Sequence, residues 1–166
     1  MVPKVIGIVG RARVGKDTVA NMFRTTHTLR RFAQPMKDAV KVLYGWSDLI
    51  IESNLKDEID RRWGTTPRAA MIHMAESTKQ FIGPDFFIKR MFRDWNEEPM
   101  VISDVRFANE VQAIHERGGI TIKITRENVP KYEFEDQIDS LVTTYEVGND
   151  GTLHELGAKI DILGVV

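Results

Sequence analysis

The sequence predicts a three-layer α/β fold, in which a parallel sheet of five strands is covered by helices on both faces. Three observations predict it. Short apolar, β-branched runs alternate with stretches of helical periodicity along the 166 residues. Turn and cap residues punctuate them: Gly45, Gly83-Pro84, Gly118-Gly119 and Asn149-Asp150-Gly151. The first run, Lys4-Val-Ile-Gly-Ile-Val9, leads straight into a glycine loop, Gly10-Arg-Ala-Arg-Val-Gly15-Lys16-Asp17-Thr18, and then a helix. Strand, glycine loop and helix in that order form a phosphate site, because backbone N–H groups and a helix N-terminus converge on an anion. In such a sheet crossovers are right-handed and ligands gather at the carboxyl ends of the strands.

The elements follow in order. A helix runs from Lys16 to Thr26, with Val19, Ala20, Met22 and Phe23 sharing a face. Thr28 to Phe32 is a second short strand. Pro35 opens a helix with Met36, Ala39, Val40 and Leu43 on one side, and Gly45 ends it. Residues 46–64 have no clean period and read as a short helix and loops projecting from the core. Thr65 or Thr66 caps the next helix, Pro67 takes its first position, and it runs to about Phe81. Asp85 caps another, ending near Trp95. Pro99 to Ser103 is the third strand, ending at Asp104, and Phe107 to Arg117 the helix after it. Ile120 to Ile124 is the fourth strand. Residues 126–141 are polar and acidic and read as a mobile, lid-like segment. Thr143 to Val147 is the fifth strand, and Thr152 caps a last helix to about Ile162. The expected organisation is one domain over 1–166, with residues 46–98 as a helical insertion.

Composition narrows the function. The chain is 42% hydrophobic and 28% charged, with a net charge of −1. That is globular, with no electrostatic case for nucleic acid or a membrane surface. No apolar run approaches the length of a bilayer, and the chain opens directly on a strand, so no secretory signal is expected. There is no cysteine, which excludes disulfides and thiolate metal sites and fits the cytoplasm. The four histidines have no metal spacing. Met71, Met74 and Phe86-Phe87 read as core.

The chemistry concentrates at strand ends. In the loop, Gly10, Ala12, Val14 and Gly15 bring backbone to the phosphates, Lys16 supplies a mobile positive charge, and Arg13 points at the donor. The hydroxyl that usually follows the lysine and binds magnesium is replaced by Asp17, with Thr18 next. A carboxylate is a suitable hard ligand, so Asp17 holds or orients hydrated Mg2+ and Thr18 meets a more distal phosphate oxygen. Asp104-Val-Arg106 follows the third strand, at the same sheet edge. Asp104 is a second candidate metal ligand, and Arg106 can fork onto a phosphate. The plainer alternative is that Asp104 caps the next helix and Arg106 pairs with Glu110.

Other candidates are less specific. Arg68, at the helix start Thr66-Pro67-Arg68, either holds a phosphate or is a solvated first-turn arginine. Phe32 and Lys37 lie after the second strand. Lys37 and Asp38 also fit a solvated helix face. Arg126 can act as an in-chain arginine finger, and both it and Arg13 also fit plain exposed positions. Asn149 lies where a purine base could rest on backbone, or in a plain strand-to-helix turn.

The blocks GRARVGKDT, FAQPMKDAV, TPRAAM, ISDVRFANE with GGITIKITR, and GNDGTLHEL stand in the order seen in phage-type deoxynucleoside monophosphate kinases. The chain resembles that family over nearly its whole length, most specifically in GKDT and DVRFxxE; residues 46–64 carry little of it. The resemblance implies a phosphate-loop kinase fold and transfer of the γ-phosphoryl group of ATP, with Mg2+, to a deoxynucleoside monophosphate. It implies that Arg13, Lys16, Asp17 and Thr18 handle the donor. Arg68 and Arg106 handle the acceptor phosphate, with Lys37 and Glu110 in the acceptor site and Phe32 lining its base pocket. One departure lies in the acidic segment. Where related sequences show His-x-Ser/Thr-Glu, this chain reads Tyr132-Glu-Phe-Glu135, keeping the glutamate alone. The expected partners are these two nucleotides, with a homodimer allowed, and the expected place is the cytoplasm, of a host cell if the chain is phage-encoded.

Two alternatives remain at this point. One is a phosphate-loop kinase for another small metabolite, of phosphomevalonate or dephospho-coenzyme A type. The other is a nucleotide-dependent switch or binding module. A GTP switch needs Asp-x-x-Gly after the third strand and an Asn-Lys-x-Asp base reader; the first reads Asp104-Val-Arg106-Phe107 and the second is absent.

Overall fold

The computed structural model describes residues 3–130 and 132–165, residue 134 by its backbone alone. Its elements are β1 (Val5–Val9), α1 (Lys16–Met22), β2 (Thr28–Arg30), α2 (Gln34–Tyr44), α3 (Asp48–Glu52), α4 (Pro67–Ile82), α5 (Phe86–Phe92), β3 (Met100–Val105), α6 (Ala108–His115), β4 (Ile120–Thr125), β5 (Tyr145–Gly148) and α7 (Leu153–Ile162). Two short 3-10 helices, Asn54–Asp57 and Glu133–Ile138, complete the set. The five strands form one sheet in the order β2-β3-β1-β4-β5. Every neighbouring pair is parallel, as the alternation of strand and helix predicts.

The chain divides into two compact units, Met1–Phe32 with Met91–Val166, and Ala33–Arg90. The first holds the sheet. β1 is central, and all five of its residues are buried. Its alternation sends Ile6 and Ile8 to one face, where they join Val19, Ala20 and Phe23 of the α1 segment and Leu156 and Ile160 of α7. Gly7 faces the other way. A Cβ there would lie 2.6 Å from the Cδ1 of Ile114, so the missing side chain lets α6 approach the sheet closely. The second unit has its own core of Val40, Trp46, Ile51, Ala70 and Met71, with Met74 packed on it. Tyr44 and Trp46 stack there with ring centroids 4.4 Å apart, and Trp63 meets Tyr44 edge-on. Among the described residues no helix is long and apolar enough to cross a membrane.

Several boundaries differ from the sequence reading, each for a local reason. α1 stops at Met22 rather than Thr26, because the Thr26 hydroxyl donates to the Phe23 carbonyl and diverts the backbone. α5 ends at Phe92, short of Trp95, whose indole N–H turns back onto the Glu98 carbonyl. β5 begins at Tyr145, because Thr144 N–H donates to the Thr121 hydroxyl instead of continuing the ladder. β3 runs on to Val105. Its register with β1 passes from Gly7–Ile102 to Val9–Val105, so β3 carries one extra residue, and Asp104 lies inside the strand rather than after it.

The 126–141 segment, in which residue 131 lies outside the described residues, is anchored in its second half. Glu135, Ile138 and Leu141 are all buried. Their spacing of three puts them on one face of the 3-10 turn and the residues that follow it.

Candidate functional site

The glycine loop connects the end of β1 to the start of α1. Gly15 stands just before the helix with φ 100°, and a Cβ there would lie 2.5 Å from the Asn149 side-chain nitrogen. That nitrogen donates to the Val14 carbonyl at 2.9 Å, and the Asn149 backbone N–H donates to the Thr125 carbonyl at 2.8 Å. Asn149, expected at the nucleotide, therefore shapes the loop from beneath. Val14 is buried in the core, while Arg13 adopts a left-handed φ of 65° and is exposed. The Lys16 ammonium donates to the Arg11 carbonyl at 2.6 Å. Burial lowers its pKa to about 8; the neighbouring Arg106 charge adds to this, and Glu135, Asp17 and Asp104 oppose it.

Ala12 departs from its expected part. Its N–H donates to the two oxygens of Glu135 at 3.0 and 3.1 Å, because that carboxylate is fully buried and takes the nearest donors. Arg11 binds the same segment, with Nε and Nη2 on Asp139 at 3.1 and 2.9 Å and Nη2 on Asp136 at 3.3 Å. The sequence reading gave Arg11 no role and Glu135 only a place in a motif. A buried period of three, Glu135, Ile138, Leu141, is the signal that marks Glu135.

On the neighbouring strand, Asp104 Oδ1 accepts the Phe32 N–H at 2.8 Å. Arg106 donates through Nη1 to Glu135 at 3.1 Å. Its backbone N–H and that of Phe107 donate to Glu110 Oε2 at 2.7 and 3.1 Å. Glu110, expected in the acceptor site, caps α6 and fixes the backbone of Arg106. Phe32, expected beneath a base, is 3% exposed and packs edge-on against Phe92, so its ring belongs to the core.

Asp17 and Thr18 are exposed in the first turn of α1. Arg31 donates to Asp17 at 3.2 Å and to the Ser103 hydroxyl at 3.2 Å, a link that no sequence spacing signals. Among the described residues no three His, Asp or Glu side chains gather as a metal cage. Two carboxylates beside a phosphate loop nevertheless fit hydrated magnesium, which takes one or two protein oxygens and leaves the rest to phosphates and water.

A cavity of about 530 Å³ opens beside the loop, lined by Arg13, Arg126, Asn128, Pro130 and Asp150 among others. Asp150 accepts the Glu127 N–H at 2.7 Å and holds the far wall.

The Ala33–Arg90 unit carries a basic group of its own. Lys37 donates to both oxygens of Glu52 at 2.9 Å. Arg68, just after the cap Thr66, forks onto Asp57. Lys56, which the sequence reading passed over, is held below its ordinary pKa by burial first, then by Arg68 and Lys37. Asp57 and Glu52, the partners of Arg68 and Lys37, oppose that shift.

No protein-family model matches the chain. A curated protein of Acanthamoeba polyphaga mimivirus, described as "Putative deoxynucleotide monophosphate kinase", is 33% identical over 153 residues, covering 75% of this chain and 75% of that protein. Similar solved structures include TT1252 from Thermus thermophilus, with a TM-score of 0.49 and 16% identity, covering 99% of this chain and 98% of that one. A dephospho-CoA kinase from Campylobacter jejuni has a TM-score of 0.48 and 10% identity, covering 97% and 96%.

Proposed function

The chain belongs to the deoxynucleotide monophosphate kinase family, and we propose that it transfers the γ-phosphoryl group of ATP to a deoxynucleoside 5′-monophosphate, giving ADP and the diphosphate. The observation that carries this reading is the joining of the glycine loop to the end of β3 through one carboxylate: Glu135 receives the Ala12 N–H at 3.0 Å and Arg106 Nη1 at 3.1 Å, so the loop that bears Lys16 and the strand end that bears Arg106 are held together. Phosphoryl transfer needs this arrangement, because its catalysis is mostly positioning and charge stabilisation.

An acceptor phosphate oxygen attacks the γ-phosphorus in line, and the bond to the ADP oxygen breaks. The acceptor is already ionised at neutral pH, so no strong general base is required. Lys16 follows the moving charge, and Arg106 holds the acceptor phosphate. Arg13 and Arg126 line the cavity beside the loop and are assigned to the donor, Arg126 as an in-chain finger. Lys37, Lys56 and Arg68 are assigned to the acceptor. Asp17 and Asp104 would hold Mg2+, which when bound neutralises charge on the donor's phosphates.

A coupled ADP-release assay across ribo- and deoxyribonucleoside monophosphates tests the proposal. Turnover with at least one deoxynucleotide, exceeding that with its ribose counterpart, is expected. Turnover confined to a small metabolite other than a nucleoside monophosphate would transfer the chain to the other kinase reading.

Two further results are expected. Asp17→Asn should raise the magnesium concentration for half-maximal rate on the order of tenfold, while metal-free ATP binding changes less. An unchanged magnesium titration would leave Asp17 as a helix-start residue. The second concerns pH. Lys16 must be protonated to meet the donor, and its lowered pKa of about 8 brings the loss of that proton into reach. The kcat/KM for ATP should therefore fall above pH 8, approaching tenfold per unit. A profile flat to pH 10 would remove Lys16 from the donor site.

A further inference from the structure

We propose that Glu135 is a positioning residue for phosphoryl transfer, clamping the phosphate loop at Ala12 and aiming Arg106 at the acceptor phosphate. This rests on the reading of the site as a phosphotransfer centre.

The placement of this carboxylate is costly. It is fully buried, in a region that must admit polyanionic nucleotides, where a negative charge opposes binding. What offsets that cost is what it touches. Both oxygens receive the Ala12 N–H, and Oε1 also receives Arg106 Nη1 at 3.1 Å. One side chain thus bridges two pieces of the site, 12 and 106, that lie 94 residues apart in the chain. Lys16 and Arg106 repel each other, and Glu135 attracts both. Before any nucleotide arrives it holds the Arg106 guanidinium beside the loop that carries Lys16, which is preorganisation.

The base of the clamp is rigid. Asp136 within the turn and Asp139 at its end receive the Arg11 guanidinium from the loop itself. Lys123 on β4 donates to the Asp139 carbonyl at 3.1 Å, and Ile138 and Leu141 are buried beneath. Glu135 is therefore presented from a fixed support, as precise aiming requires.

The test uses Glu135→Gln, which keeps size and shape and removes the charge. It should lower kcat, or raise the acceptor KM, on the order of 10–100-fold, with the ATP KM moving much less. In an Arg106→Ala background the same substitution should cost little more, because the residue it aims is gone. In the free protein, 15N relaxation of the Arg106 Nε–H should show a lower order parameter in Glu135→Gln than in wild type. Kinetics within twofold of wild type, multiplicative effects in the double mutant, or an unchanged Arg106 order parameter would each overturn the inference. If Glu135→Gln does not fold, Glu135→Asp, which keeps the charge and shortens the reach, is read by the same criteria. The relaxation measurement needs no turnover, so it decides the clamp separately from the acceptor panel. A wild type inert on every nucleoside monophosphate overturns the kinase reading instead.

Discussion

Replacing Lys16 by alanine should reduce phosphoryl transfer by about 10²–10³-fold or more, equivalent to about 3–4 kcal/mol of transition-state stabilisation, in a protein that stays folded. The loop keeps its shape without the side chain. Asn149 holds Val14, Glu135 holds Ala12, and the ammonium contributes one bond to the Arg11 carbonyl. Burial disfavours its charge, so the alanine variant relieves a desolvated cation rather than removing a stabilising one. The sign follows from linkage. The folded pKa of about 8 lies below the ordinary 10.5, so between those values the unfolded chain holds a proton that the folded one has lost. Wild-type stability should therefore rise with pH across that window relative to Lys16→Ala. Activity assays and paired melts at pH 7 and pH 10 check both halves. Near-normal turnover in the folded variant would dissolve the loop assignment.

Arg106→Ala should raise the acceptor KM or lower kcat by about one to two decades, the 1.5–3 kcal/mol of a charge-assisted contact to a dianion, with ATP affinity spared. It should also lower the melting temperature, since Glu135 would stay buried without its cation. Arg106→Lys separates the effects. A lysine restores a charge beside Glu135 and so most of the stability, but it lacks the planar fork and should recover only part of the kinetics. Arg68→Ala should affect the acceptor by a similar factor, although here the guanidinium also forks onto Asp57. If ATP affinity falls while acceptor kinetics hold, the arginines serve the other nucleotide. If neither changes, Arg68 is a structural residue of the α4 start and Arg106 one of the α6 start.

What was legible in the sequence was local. The β1, glycine loop and α1 succession can be read from consecutive residues, because its physics is that of backbone turning into a helix. Thr66 before Pro67, and Thr152 with Glu155, are caps whose partners lie three residues away, and both are formed. The β3 bulge has no such trace, so Asp104 was placed one step too far along. Phe32 looks the same in sequence whether its ring meets a base or packs against Phe92. In the Ala33–Arg90 unit the buried Trp46 and Ile51 fall in a stretch without a clean period, so this part of its core leaves nothing to read. Glu135 acquires its meaning only from chain far away.

That distance bears on how the protein is made. The loop's supports come late in the chain: Ala12 waits for a residue 123 positions on, Arg11 for one 128 on, and Val14 for one 135 on. β1, the centre of the sheet, pairs with β3 and β4, so it has no neighbour until those strands exist. A ribosome that has exported only the first hundred residues therefore displays the whole glycine loop and none of the distant contacts that shape it. Such non-local closure is slow, and it leaves an apolar strand unpaired while synthesis continues. The first motif to be translated is thus among the last to be braced, and a chain cut short before residue 149 would carry the glycine loop without the side chain that holds Val14.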